Sequence, residues 1–312
     1  MDLTRATFSG HESFPFRSTW LTKGVTECSR DPSIFTKDEA MVVLGVGKNM
    51  VRSIRHWCLA TRVLEEDAAV RNNRGRLLRP SAIGGRIFLN ERWDPYLEDT
   101  ATLWLIHWLL ATNPDKATTC YYAFSLLREP EFTRRSLESS ISTMAQRFPA
   151  LRVSEHTLRR DVDILIRTYV PSAMATGASP EESLDCPLAE LGLIFEVEHR
   201  RMYAFSRGPK ETLPDAALVF ALWDYGQRAG GIRSLSFDEL AYGPLSPGAV
   251  FKLDEVALAE RLDRLSELTS GAWQFSETAG LKQVLILREI DPMEVLRRYY
   301  GGLRGRGVGA AA

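Results

Sequence analysis

The stretch Leu44-Gly45-Val46-Gly47-Lys48-Asn49-Met50-Val51-Arg52-Ser53-Ile54-Arg55-His56-Trp57 sets a tight glycine turn directly before a short two-sided helix. Val51, Ile54 and Cys58, with Trp57 beside them, recur at i, i+3 and i+7 and are expected to face a core. Lys48, Asn49, Arg52, Arg55 and His56 fall mostly on the other side. Reading a DNA major groove calls for that chemistry: arginine for guanine edges, asparagine for adenine edges and lysine for phosphate. Binding of double-stranded DNA is therefore the first expectation, with a solvated surface helix as the plain alternative. Gly47-Lys48 also looks like the end of a Walker A loop. That motif needs a glycine five residues earlier and Ser or Thr after the lysine. Val42 and Asn49 stand there instead, so the loop lacks its first glycine and its magnesium-binding hydroxyl.

The residues after this helix sharpen the reading. Arg62 to Glu65 and Ala69 to Leu78 read as two strands around an Asn/Gly-rich turn whose tip carries Arg71, Arg74 and Arg76. A basic helix followed by a basic hairpin describes a winged helix, in which the wing reaches phosphate or the minor groove beside the reading helix. The plan recurs. Thr100–Leu110, Ala117–Leu127 and Ser136–Phe148 read as helices, and Ser154 can cap a further helix with Leu158, Val162, Leu165 and Tyr169 on one face. Its outer face offers His156, Arg159, Arg160, Asp163 and Arg167, and Thr157 to Val162 resembles bacterial recognition helices. An Ala/Ser/Pro-rich loop, Pro171 to Pro187, separates it from a hairpin, Leu193–Val197 and Met202–Phe205, turning near His199-Arg200.

A third copy is fainter. Ala216–Tyr225 and Val256–Leu268 read as helices, with a hairpin of Trp273–Glu277 and Leu281–Leu287 turning at Ala279-Gly280. Its outer helix face mixes Glu255, Glu260, Arg261, Asp263, Arg264 and Glu267, which suits packing or a protein partner better than a duplex. The expected fold is mainly α with small antiparallel β-hairpins, as tandem winged helix-turn-helix-like domains. These divide as 1–95, 96–210 and 211–300, with a disordered tail at 301–312.

The formal net charge is −1, but residues 1–92 hold fifteen Lys/Arg against ten Asp/Glu, leaving the remainder acidic. That asymmetry suggests a phosphate-binding face on the first domain. No apolar run approaches a membrane span, and Met1-Asp2-Leu3-Thr4-Arg5 lacks a signal core, so the expected location is the cytoplasm. Cys28, Cys58, Cys120 and Cys186 are scattered without zinc spacing and read as reduced core thiols.

The opening segment, Phe8-Ser9-Gly10-His11-Glu12-Ser13-Phe14-Pro15-Phe16-Arg17-Ser18-Thr19-Trp20-Leu21-Thr22-Lys23, is dense in aromatic and polar groups. Together with Leu44 to Val51 it resembles the SspB-type components of bacterial DNA phosphorothioation defence systems, a family first defined only as a domain of unknown function. The resemblance implies a DNA nickase using Mg2+, which would expose one strand for replacement of a phosphate oxygen by sulfur. It also implies partners: a cysteine desulfurase, an ATP pyrophosphatase-like enzyme and an ATPase.

The residues themselves lend the nickase little. No Asp or Glu stands two before a lysine, and there is no His-x-His or His-x-Lys, so three local nuclease signatures are missing. The compact candidate is His11 as base or metal ligand, Glu12 as carboxylate and metal ligand, and Arg17 as phosphate clamp. The structural alternative is a Glu12–Arg17 salt bridge with His11 among Phe14, Phe16 and Trp20. Two functions stay open: a divalent-metal-dependent endonuclease, or a non-catalytic DNA-binding, recruitment or regulatory protein.

Overall fold

The amphipathic spacing of Val51 to Cys58 is realised in the third of a run of three helices. α1 (Ser18–Arg30) buries Trp20, Leu21, Val25 and Cys28. α2 (Ala40–Leu44) stops where Gly45 takes φ +67°, a left-handed cap that would strain any residue with a side chain. α3 (Lys48–Ala60) buries Val51, Ile54, Trp57 and Cys58 and packs on α1. The computed structural model describes residues 6–148, 153–171, 186–197, 201–231, 233–278 and 280–307.

β1 (Leu64–Glu66) and β2 (Leu78–Pro80) then pair antiparallel, with Leu64 opposite Pro80. Both are shorter than the sequence pattern indicates, and 69–77 does not pair. Asn73 folds residues 67–77 on themselves: its amide donates to the Asp67 and Leu77 carbonyls, and its oxygen accepts the Leu77 N–H at 2.6 Å. α4 (Ala82–Phe88) follows, capped by Ser81.

α5 (Thr100–Ala111) starts at an Asp99 cap and is buried from Ala101 to Ala111. α6 (Thr118–Tyr121) runs into a π-turn at Tyr122–Leu126. β3 (Glu131–Phe132) precedes α7 (Arg134–Gln146) and α8 (Glu155–Tyr169), which Thr133 and Ser154 cap. β4 (Ile194–Val197) pairs with β5 (Met202–Phe205), and β3 joins the other edge of β5. With two residues, β3 has no periodicity to announce it. Most of the Pro171–Pro187 stretch and the His199-Arg200 turn lie outside the described residues.

The chain divides into two compact units, Met1–Ser206 and Arg207–Ala312. The stretches 1–95 and 96–206 thus belong to one unit. The second unit holds α9 (Asp215–Arg228), β6 (Ser234–Ser236), α10 (Phe237–Tyr242), α11 (Pro247–Phe251), α12 (Glu255–Leu262) and α13 (Leu265–Leu268). It ends with β7 (Trp273–Thr278), β8 (Leu281–Ile286) and α14 (Pro292–Gly307), and its sheet runs β6-β8-β7. The helix expected over Val256–Leu268 breaks at Asp263-Arg264, where Arg261 and Arg264 both clasp Asp215 at 2.7 Å. Residues 301–307, expected in the tail, continue α14. Leu296 and Tyr300, four apart, are buried, α14 packs on α9, and the helix continues to Gly307. Residues 308–312 and Ala279 lie outside the described residues.

The architecture is mainly α with small antiparallel sheets, as the sequence indicates. Among the described residues no helix is long and apolar enough to cross a membrane. The four cysteines are buried, and burial pushes the Cys28 thiol up to about 11 and those of Cys58 and Cys120 higher.

Candidate functional site

Two clusters in the first unit draw on the residues singled out from the sequence. The first is the outer face of α3. Lys48, Asn49 and Arg52 are exposed there, and the Gly47 cap offers no side chain to the first-turn amides. Arg71, Arg74 and Arg76 are exposed on the 67–77 loop. Among the described residues none of Lys48, Arg71, Arg74 and Arg76 is held in an ion pair. Arg55 is half-buried and donates from Nη2 to the Gly75 carbonyl at 2.9 Å. Burial lowers its proton affinity while neighbouring Glu66 opposes that shift. Arg55 therefore ties the loop to α3 and brings Arg74 and Arg76 beside the helix, rather than facing solvent itself.

The second cluster lies beneath. His11 is 5% exposed, and its Nε2 lies 2.9 Å from Asp161 Oδ1 on α8. Its Nδ1 accepts the Ser13 N–H at 3.1 Å, so the proton sits on Nε2 and is donated to Asp161. Asp161 also accepts the Ser9 N–H at 2.8 Å and the Thr119 hydroxyl at 3.2 Å. Ser53 of α3 donates its hydroxyl to the His11 carbonyl at 3.0 Å. These bonds hold a turn in which Ser9, Glu12 and Ser13 all have positive φ, between 49° and 66°. Such a conformation is costly for residues with side chains and persists only where its surroundings enforce it. Beside the turn is a cavity of about 30 Å³, lined in part by His11, His56, Lys116, Thr119 and Asp161.

The structure separates several residues that the sequence grouped. His56 turns inward, its ring 6.0 Å from that of His11 and 5.3 Å from that of Trp57. Burial, followed by the positive fields of His11, Lys116 and Arg55, pushes its pKa down to about 3. It is a neutral wall of the cavity, not part of the exposed α3 face. His11, Glu12 and Arg17 do not converge either. Glu12 stands 3.8 Å from Arg52, and Arg17 lies over the Trp20 ring at 5.4 Å. Arg160 donates from Nε to Ser13 Oγ at 2.8 Å, whereas Arg159 is exposed along the α7–α8 cleft. The sequence reading missed Asp161 as the partner of His11. Its signal was present, because Asp161 falls among Leu158, Val162 and Leu165 on the apolar face of α8.

No set of three or more His, Cys, Asp or Glu that could hold a metal occurs among the described residues. Glu12 alone beside Arg52 does not make a resident magnesium site.

The sequence profile of the family described as "Protein of unknown function (DUF4007)" matches residues 8–300. The chain belongs to the DUF4007 family. It is also similar to a crystal structure of SspB at 32% identity, with a TM-score of 0.83, covering 97% of this chain and 91% of that one. A magnesium ion-bound SspB crystal structure is similar at 31% identity, with the same TM-score and coverage. The SspB-type resemblance carried by residues 8–23 and 44–51 thus extends over nearly the whole DUF4007 chain. No curated protein matches it at a significant level.

Proposed function

We propose that this protein is a DNA-binding component of a phosphorothioation system, gripping double-stranded DNA with α3 and the 67–77 loop as a helix and its wing. The observation that carries this reading is the Arg55–Gly75 bond, which assembles Lys48, Arg52, Arg74 and Arg76 into one exposed cationic face. Lysine and arginine there neutralise phosphates, and Asn49 and Arg52 are the side chains suited to base edges. Similarity to SspB supports the system role. That role implies a cytoplasmic protein working with a cysteine desulfurase, an ATP pyrophosphatase-like enzyme and an ATPase.

Duplex binding followed by fluorescence anisotropy across a salt series tests the grip. Arg52→Ala and Arg74→Ala should each weaken binding and lower the salt slope by about one. Wild-type affinity and slope in both variants would refute it.

Strand nicking is the second reading, favoured by the strained Glu12 turn beside Arg52 and by the existence of a magnesium-bound SspB. Because the described residues lack a resident metal site, the ion would have to be held jointly with DNA phosphates. Supercoiled plasmid incubated with the protein and Mg2+ should relax to open circles, and EDTA should abolish this. Intact plasmid with every divalent ion and all partner proteins present leaves DNA binding as the whole activity. Glu12→Gln nicking at the wild-type rate would remove Glu12 from the chemistry.

A further inference from the structure

The recess beside the strained turn holds two polar groups that the grip of α3 on DNA does not use. His56 and Lys116 both line it, and both are half-buried. Among the described residues neither ring nitrogen of His56 has a hydrogen-bond partner, and neither is sealed from a water-sized atom. Gly10 contributes to that openness, because a Cβ there would stand 2.2 Å from Nδ1 and glycine leaves the space empty. Lys116 is equally unengaged. Its backbone N–H donates to Asn113 Oδ1, but among the described residues no carboxylate reaches its ammonium at ion-pair distance.

The surroundings of the two groups are positive. The fields of His11, Lys116 and Arg55 all oppose a further proton on the His56 ring. Asp161 also lines the recess, but its oxygens already accept His11 Nε2–H, the Ser9 N–H and the Thr119 hydroxyl. A half-buried ammonium beside a neutral imidazole N–H is a pair of donors without an acceptor, and one anionic oxygen satisfies both.

Size and position define the owner of that oxygen. The recess offers about 30 Å³, and a water-sized atom needs about 10–15 Å³, so it admits about two oxygens and not a whole phosphate group. The oxygen therefore belongs to a group that stays outside. Asn49, Arg52 and His56 fall at i, i+3 and i+7 on one side of α3, so a strand held by Asn49 and Arg52 runs on past His56.

We propose that the recess takes a non-bridging oxygen of one DNA phosphodiester, held by the Lys116 ammonium and the His56 ring N–H at the end of the α3 contact. This rests on the DNA-binding reading and extends its footprint from α3 to the residues just before α6.

Fluorescence anisotropy with a short duplex, in EDTA and across a salt series, tests this on the full-length protein. Lys116→Ala should weaken binding about fivefold and lower the salt slope by about one, whereas Lys116→Arg should keep the slope. Added duplex should move the ring signals of His56 in the wild-type NMR spectrum and leave them in place in Lys116→Ala. Wild-type affinity and slope in Lys116→Ala, with Arg52→Ala weakened, would overturn the proposal and leave the grip of α3 standing. Wild-type values in both variants would refute that grip as well. Inorganic phosphate at the same phosphate concentration should barely move the His56 signals. A shift as large as the duplex produces would assign the recess to free anions and overturn the proposal.

Discussion

His11 Nε2 donates to Asp161 Oδ1 across 2.9 Å, although 150 residues separate them, and the pair is buried. This bond fastens the strained turn at Ser9–Ser13 to α8 and so determines where Glu12 stands relative to Arg52. Removing the carboxylate leaves the His11 imidazole, the Ser9 amide and the Thr119 hydroxyl without their acceptor. Asp161→Ala should therefore cost about 3 kcal/mol in urea denaturation, with Asp161→Asn milder because its amide oxygen still accepts. An unchanged midpoint for Asp161→Ala would show that the turn is held by other contacts.

His56 makes stability depend on pH in a direction that can be worked out. Its folded-state pKa of about 3 lies below the ordinary value of 6.5. The unfolded chain thus takes up a proton that the folded chain refuses as pH falls from about 6.5 towards 3. Stability is full above that window and declines through it, by up to about 1.4 kcal/mol per pH unit from this one group. His56→Gln should flatten the decline, measured by denaturation at pH 7 and pH 4.5. An identical pH dependence in the variant would rule His56 out as its source.

Gly10 lies against the same ring. A Cβ there would meet His56 Nδ1 at 2.2 Å, and the ring has little room to retreat beside Trp57 and His11. Gly10→Ala should destabilise the protein by about 2 kcal/mol and perturb the His11 and His56 NMR signals together. If thermal stability and both signals stay at wild type, the turn can shift away from the ring.

Arg55 and Arg52 should separate by experiment although both are arginines of one helix. Arg55→Lys loses the geometry of the bond to Gly75, so amide exchange in residues 67–77 should accelerate and DNA affinity fall about fivefold. Arg52→Ala should weaken DNA binding with exchange in the loop unchanged. Equal exchange in both variants would mean that Asn73 alone shapes the loop.

Much of this fold is legible in the sequence because it is set by local periodicity. The 3.6-residue spacing of Val51, Ile54, Trp57 and Cys58 yields α3, Gly45 yields the turn before it, and Ser154 yields the start of α8. The β1–β2 and β7–β8 hairpins follow from Asn and Gly in their turns and the β4–β5 hairpin from the short break at His199-Arg200, whereas β3 and β6 exist only through pairing with a distant strand. The exposed cations of α3 and the 67–77 loop were readable for the same reason, since charge on the face opposite an apolar stripe must meet solvent.

The sequence by itself thus determined α3, α5, α7, α8 and α9, the basic face and the SspB-type kinship of this protein. Tertiary structure alone decided what its polar residues touch. It gave His11 to Asp161 rather than to Glu12, turned His56 inward, spent Arg55 and Arg160 on bonds within the protein, and left Trp273 with a buried donor. The physical reason is that hydrogen bonds are fixed over a few ångströms between groups far apart in the chain. Periodicity reports which face of a helix is buried, and not which distant group awaits it there.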